Sequence, residues 1–234
     1  RTAHIMTVED PIEYLHRDNR SIINQREIGV DTNSFSHALR SALRQDPDVI
    51  LVGEMRDRET VEIGLSAAET GHLVLSTLHT IDAGQTINRI LGLFDPAEEE
   101  QIRHRLADTL RWVVSQRLAP KIGGGRQAIL EIMGNNVRTK ESILQGESEG
   151  KTFYEIIEAS YTFGWKTFDQ ACMEAFEQNL ITEESALLYC SKKGPTSRGI
   201  DNIKKKRGEV TSNVTQLGMK KDAPAHGAPV APPP

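Results

Sequence analysis

Carboxylates and imidazoles gather at the ends of three apolar runs in this sequence. The first run ends Val8-Glu9-Asp10-Pro11-Ile12-Glu13 and the second Ile50-Leu51-Val52-Gly53-Glu54-Met55-Arg56-Asp57. The third is Gly71-His72-Leu73-Val74-Leu75-Ser76-Thr77-Leu78-His79-Thr80. The runs are short, apolar and rich in β-branched residues, as buried parallel strands are. Open α/β sheets bind ligands outside the carboxyl ends of their strands. Glu9, Asp10, Glu13, Glu54, His72 and His79 would then share one cleft, a donor set suited to a metal and a phosphate. Like charges as close as Glu9, Asp10 and Glu13 need a cation or open water; the competing reading is a solvated acidic loop. Pro11 biases Asp10 toward an extended backbone. Gly53-Glu54 after four apolar residues resembles the strand end at which a nucleotidase carboxylate holds Mg²⁺ through water or orients the attacking water. His72 and His79 fall on opposite faces unless their segment bends, which makes His79, past the strand end, the better phosphate contact.

The elements that must carry these groups read as follows. Residues 3–8 and 21–28 are extended, with a strand at 49–52 and another at 72–78. Ser34 caps a helix over 35–45, Gly71 ends a helix over 58–70, and helices follow at 82–92 and 96–115, the latter with Asp95 as cap and Pro96 at its first position. A hairpin around Gly123-Gly124-Gly125 pairs 117–122 with 127–132. Beyond Gly134, short amphipathic helices are expected over 137–146, 152–162, 167–178 and 182–189. From 194 onward Gly, Pro, Lys and Ala dominate, and Lys204-Lys205-Lys206-Arg207 is a charge run. This predicts a disordered tail, removable from residue 198 without effect on turnover. The division is 1–133, 134–193 and 194–234.

The 234 residues carry a net charge of −5 with 26% charged residues, which argues against a nucleic-acid partner. No apolar run is long enough to span a membrane, and the first residues lack the apolar stretch of a signal peptide. Cys172 and Cys190, 18 apart with no CxxC, predict neither disulfide nor zinc, and a reducing cytoplasm. The chain opens on Arg1 in what reads as mid-domain, so a fragment lacking its N-terminal part is expected.

The acidic box, the Gly53-Glu54-Met55-Arg56-Asp57 strand end and the histidine box stand in the order found in the type II/type IV secretion ATPases. The resemblance is to the twitching-motility retraction branch of that family. It continues through Asn24–Gly29, Arg44–Ile50, Ala67–His72, Ser115–Leu118 and Thr167–Gln170, and covers roughly residues 1–190. It implies an α/β fold: a partial RecA-like P-loop ATPase core with its N-terminal strands missing, then a small α-helical subdomain and the tail. It also implies ATP and Mg²⁺ as ligands and a homo-hexamer in the cytoplasm, docked on an inner-membrane platform protein of the pilus machinery without inserting in the membrane. By motif, Glu13 would be the catalytic base, Glu54 the carboxylate of the Mg²⁺ and water shell, and Glu9 and Asp10 the rest of the box. His79 would sense the γ-phosphate, and His72 would support the box or a subunit contact.

Two departures stand out. No GxxxxGK[ST] loop occurs in the sequence, so the fragment alone is expected to be inactive. The segment Val137–Gly146 keeps only the amphipathic character of the helix tied to retraction, leaving an accessory paralogue open. An extension or secretion ATPase would carry a four-cysteine zinc knuckle, whereas residues 80–171 hold no cysteine. A non-catalytic ring subunit is the rival of another class.

Overall fold

The computed structural model describes residues 2–209. Its first layer is a parallel sheet of β1 (His4–Glu9), β2 (Ile22–Glu27), β3 (Val49–Val52) and β4 (Leu73–Ser76), in the order β2-β1-β3-β4. The register pairs Val8 with Val52 and Val52 with Ser76, so the strands finish together at one edge. One face is closed by α1 (Phe35–Ala42) and α2 (Arg58–Glu69), with Leu39, Ile50, Val52 and Ala67 buried between the layers. Burying Ile50 and its neighbours out of water stabilises this layer by roughly 1.5–3 kcal/mol per large aliphatic side chain. Ser34 caps α1 by accepting from the His37 N–H, and Asp57 caps α2 by accepting from the Thr60 N–H. Along β4 the pattern alternates, leaving Leu73 and Leu75 exposed on the sheet's other face.

The chain then runs through α3 (Ala83–Leu91) and α4 (Pro96–Thr109) into an antiparallel hairpin of β5 (Trp112–Pro120) and β6 (Arg126–Gly134). Its turn, Gly123 to Gly125, has three consecutive positive φ angles of 85°, 104° and 79°, a backbone only glycine adopts without strain. The helix expected to reach residue 115 stops at Thr109, where Asn135 Nδ2 donates to the Ala107 and Leu110 carbonyls. From Trp112 the side chains alternate between faces with the period of a strand, and the β-branched Val113-Val114 pair suits it. The hairpin therefore pairs Trp112 through Pro120 rather than starting at Arg117.

Beyond it come α5 (Val137–Gln145), α6 (Phe153–Glu158), a 3-10 turn at Tyr161–Phe163, α7 (Phe168–Glu177) and α8 (Glu183–Tyr189). Reciprocal capping boxes at Thr152/Glu155 and Thr167/Gln170 start α6 and α7. The largest core lies where α3, α4, α5 and α6 meet the hairpin, around Ile87, Leu106, Met133 and Trp165; a separate core joins α7 and α8 to Ala119 and Ile129.

The expected disordered tail needs correction over its first part. Lys193–Arg207 is a helix, α9, with Thr196 buried and Ile200 and Ile203 packed in the second core. Those positions repeat at i, i+4 and i+7, a sparse stripe inside a polar composition. Part of the charge run is internal too. Lys204 pairs with Glu183, and Arg207 donates to the Phe176 and Glu177 carbonyls while lying over the Phe176 ring. The rest of the expected tail, 210–234, lies outside the described residues.

Candidate functional site

The carboxyl ends of β1, β3 and β4 bring together Glu9, Gly53, Glu54, Thr77 and His79. Gly53 sits under the end of β1: its N–H donates to the Val8 carbonyl at 2.7 Å, and a Cβ there would stand 3.0 Å from that oxygen. Glycine thus lets β3 exit flush against β1 and delivers Glu54 to the sheet edge. Thr77 Oγ1 donates to the Gly53 carbonyl at 2.5 Å, and the Met55 N–H donates to the Thr77 carbonyl at 3.4 Å. The segment after β4 is thereby folded over the end of β3.

Glu54 is 8% exposed. Its Oε2 lies against Arg56 Nε and 3.5 Å from His79 Nε2. Neither nitrogen is aligned to donate, so this buried oxygen has no hydrogen bond. The Arg56 guanidinium balances the charge of this oxygen while its hydrogen-bonding capacity stays open, and the arrangement fits an acceptor for a water or a hydrated cation. Among the described residues no group of three or more His, Cys, Asp or Glu side chains could hold a metal ion. A cation here would keep most of its waters or take phosphate oxygens, as Mg²⁺ does. Arg56 and His79 are exposed at the mouth, where a phosphate could meet both.

The remaining expected residues divide. Glu9 Oε1 accepts from Thr7 Oγ1 at 2.5 Å and from Gln25 Nε2 at 3.0 Å, which ties the acidic box to β2. Asp10 and Glu13 are exposed and make no hydrogen bond or ion pair among the described residues. The loop that carries them is held by the Ile12 N–H on Glu27 and the His16 N–H on Gln25. His72 is not brought to the site. It precedes β4, roughly 13 Å of strand from Ser76 at about 3.3 Å per residue. Its Nδ1 sits 3.0 Å from the Ala67 carbonyl and 3.1 Å from Thr70 Oγ1, at the C-terminal end of α2.

Two groups escaped the sequence reading. Arg56 stands two residues past Glu54, in a motif whose carboxylate drew the attention. Glu131 is 3% exposed on β6 and accepts from the Ala83 N–H at 2.9 Å. Burial raises its carboxyl to about 7, which the Ala83 hydrogen bond opposes and Asp82 reinforces. A lone acid inside the apolar run Ala128-Ile129-Leu130-Glu131-Ile132-Met133 was the available signal.

Acids and a histidine beside a glycine-led carboxylate thus stand at the carboxyl edge of an open parallel α/β sheet, the place where such sheets bind ligands. The chain belongs to the family described as Type II/IV secretion system protein, which matches residues 1–147. It is 46% identical over 183 residues to the type IV pilus retraction ATPase PilT of Pseudomonas aeruginosa, covering 78% of this chain and 53% of that one. It is 41% identical over 189 residues to the type IV pilus ATPase PilU of the same organism, covering 80% and 49%. The crystal structure of the pilus retraction motor PilT with bound ADP superposes with a TM-score of 0.73 at 45% identity, covering 85% of this chain and 55% of that one. The fold is therefore the expected one, part of a RecA-like ATPase core followed by a helical part. The chain spans about half the length of the curated relatives it matches.

Proposed function

We propose that this chain is the catalytic C-terminal portion of an ATP-hydrolysing hexameric motor for type IV pilus retraction. The observation that carries this reading is Glu54: a buried carboxylate with a donorless oxygen at the carboxyl edge of a parallel sheet, flanked by an arginine and a histidine. In this reading ATP is the substrate, and Glu54 with Asp10 would hold a hydrated Mg²⁺, which would supply charge neutralisation at the phosphates. Glu13, exposed and unpaired, takes the proton of the attacking water. His79 meets the γ-phosphate at the mouth, and Glu9 fixes the acidic loop against β2. Such a site works by positioning and charge, as phosphoryl transfer requires. The ring acts at the cytoplasmic base of the pilus machine, on a platform protein in the inner membrane. No helix among the described residues is long and apolar enough to cross a membrane.

These 234 residues hold no GxxxxGK[ST] loop, and the reading is tested on the full gene product. The second reading is an accessory or non-catalytic ring subunit, which the 41% identity to the type IV pilus ATPase PilU supports. ATP turnover by the full gene product, beside its Glu13→Gln variant, separates them. The motor reading expects turnover in the parent, and loss of turnover with nucleotide binding kept in the variant. A full gene product that binds but does not hydrolyse ATP establishes the accessory role.

A further inference from the structure

The segment from Thr77 to Ala83 carries His79 and is anchored at both ends. In front, Thr77 is held to Gly53 and Met55 at the end of β3. At the rear, the hairpin reaches up from its buried face. Arg117 Nη2 donates to the Ile81 carbonyl at 3.4 Å, and Glu131 Oε1 accepts from the Ala83 N–H at 2.9 Å. Arg117 does not end there: Nη1 donates to the Tyr189 carbonyl at 2.7 Å, and the guanidinium lies 3.7 Å over the Phe168 ring. One side chain thus spans the histidine loop, the start of α7 and the end of α8.

We propose that Arg117 and Glu131 are positioning residues that seat the His79 loop against Glu54 and couple it to the helical part. The proposal rests on the ATPase reading for its catalytic consequence, and on geometry alone for the clasp. Neither residue reaches the exposed mouth where a nucleotide would lie. What they grip is backbone: the carbonyl two residues after His79 and the first amide of α3. Arginine suits the first task because its planar fork serves two carbonyls at once, which a lysine ammonium does not. The charged groups around the Glu131 carboxyl are Asp82 ahead of α3, Arg117 on β5 and Asp169 on α7. Asp169 itself accepts from Tyr154 Oη and from the Ser191 and Lys192 N–H groups. Through Arg117 the clasp is therefore fastened to the start of α7 and the end of α8.

The test has two arms. In the 234-residue chain, the amide resonance of Ala83 is followed through a pH titration by NMR. It should shift with a midpoint near 7 and lose that transition in Glu131→Gln, which retains an acceptor oxygen. Comparison with the variant removes the contribution of every other titrating group. A flat Ala83 amide in the wild type, or the same transition in Glu131→Gln, overturns the clasp. In the full gene product, Arg117→Lys should lower kcat for ATP at least tenfold with KM within twofold. Ala83→Pro removes the donor at a first helical position whose backbone tolerates proline, and should act the same way provided its unfolding midpoint matches wild type, since Ala83 is buried. Both variants turning over at the wild-type rate would refute the catalytic consequence. A wild-type gene product without turnover would instead defeat the ATPase reading, and the Ala83 titration still decides the clasp.

Discussion

Replacing Glu131 by glutamine should make the chain relatively more stable as pH rises. The side chain is buried on β6 and accepts from the Ala83 N–H, a bond glutamine can keep through its carbonyl oxygen. Burial lifts the carboxyl from 4.5 to about 7 in the fold. The folded state therefore prefers the protonated acid. The stability that goes with it is complete below 4.5, where both folded and unfolded chains carry the proton. It is lost as pH rises toward 7, because the unfolded chain ionises freely and the folded one does so against the desolvation cost. At about 1.4 kcal/mol per pH unit, the loss between pH 5 and pH 8 comes to about 2.5 kcal/mol. Glutamine has no such dependence. Urea unfolding of both chains at pH 5 and at pH 8 gives a double difference in which the remaining titrating groups cancel. The variant should gain about 2.5 kcal/mol relative to wild type across that interval. A double difference within about 0.5 kcal/mol of zero would mean that the carboxyl is solvated or neutralised, and the reasoning from its burial would fail.

Two further outcomes follow from the structure. Ile200→Ala removes a fully buried side chain from the core between α7 and α9 and should cost about 2–5 kcal/mol in urea unfolding; truncation from residue 198 should likewise destabilise the helical part, and an unchanged unfolding midpoint in either would return α9 to the status of a passive tail. In the full gene product, His79→Ala should lower ATP turnover at least tenfold and His72→Ala less than twofold, since His72 lies at the far end of β4; equal losses would place both at the site.

The sheet was legible because its signals are local. Apolar β-branched runs ending in Gly53-Glu54 or Glu9-Asp10 mark a strand and its carboxyl end together, and Ser34, Asp57, Thr152 and Thr167 mark helix starts by their own hydrogen bonds. What was illegible depends on contacts distant in sequence. A period of two sets His72 and His79 on opposite faces and their order in the chain puts His79 past the strand end, but that His72 stands outside the cleft follows only from the pairing of Val49 with Leu73, which puts it at the opposite edge. The end of α4 is decided by Asn135, 28 residues past Ala107. The helix α9 escaped because three buried positions in a Lys- and Gly-rich stretch offset ordering entropy only when α7 and α8 supply the other half of the core. Glu131 and Arg117 stand alone in β-strand patterns, and their roles exist only through the Ala83 amide and the Ile81 and Tyr189 carbonyls.

In the proposed motor, Glu54 is the carboxylate around which nucleotide hydrolysis is organised. Its most direct test is ATP turnover by the full gene product with Glu54→Gln, alongside nucleotide binding by the same protein. Turnover should fall at least a hundredfold with binding within a few fold of wild type. Wild-type turnover in Glu54→Gln would contradict it and move the chemistry to another part of the molecule.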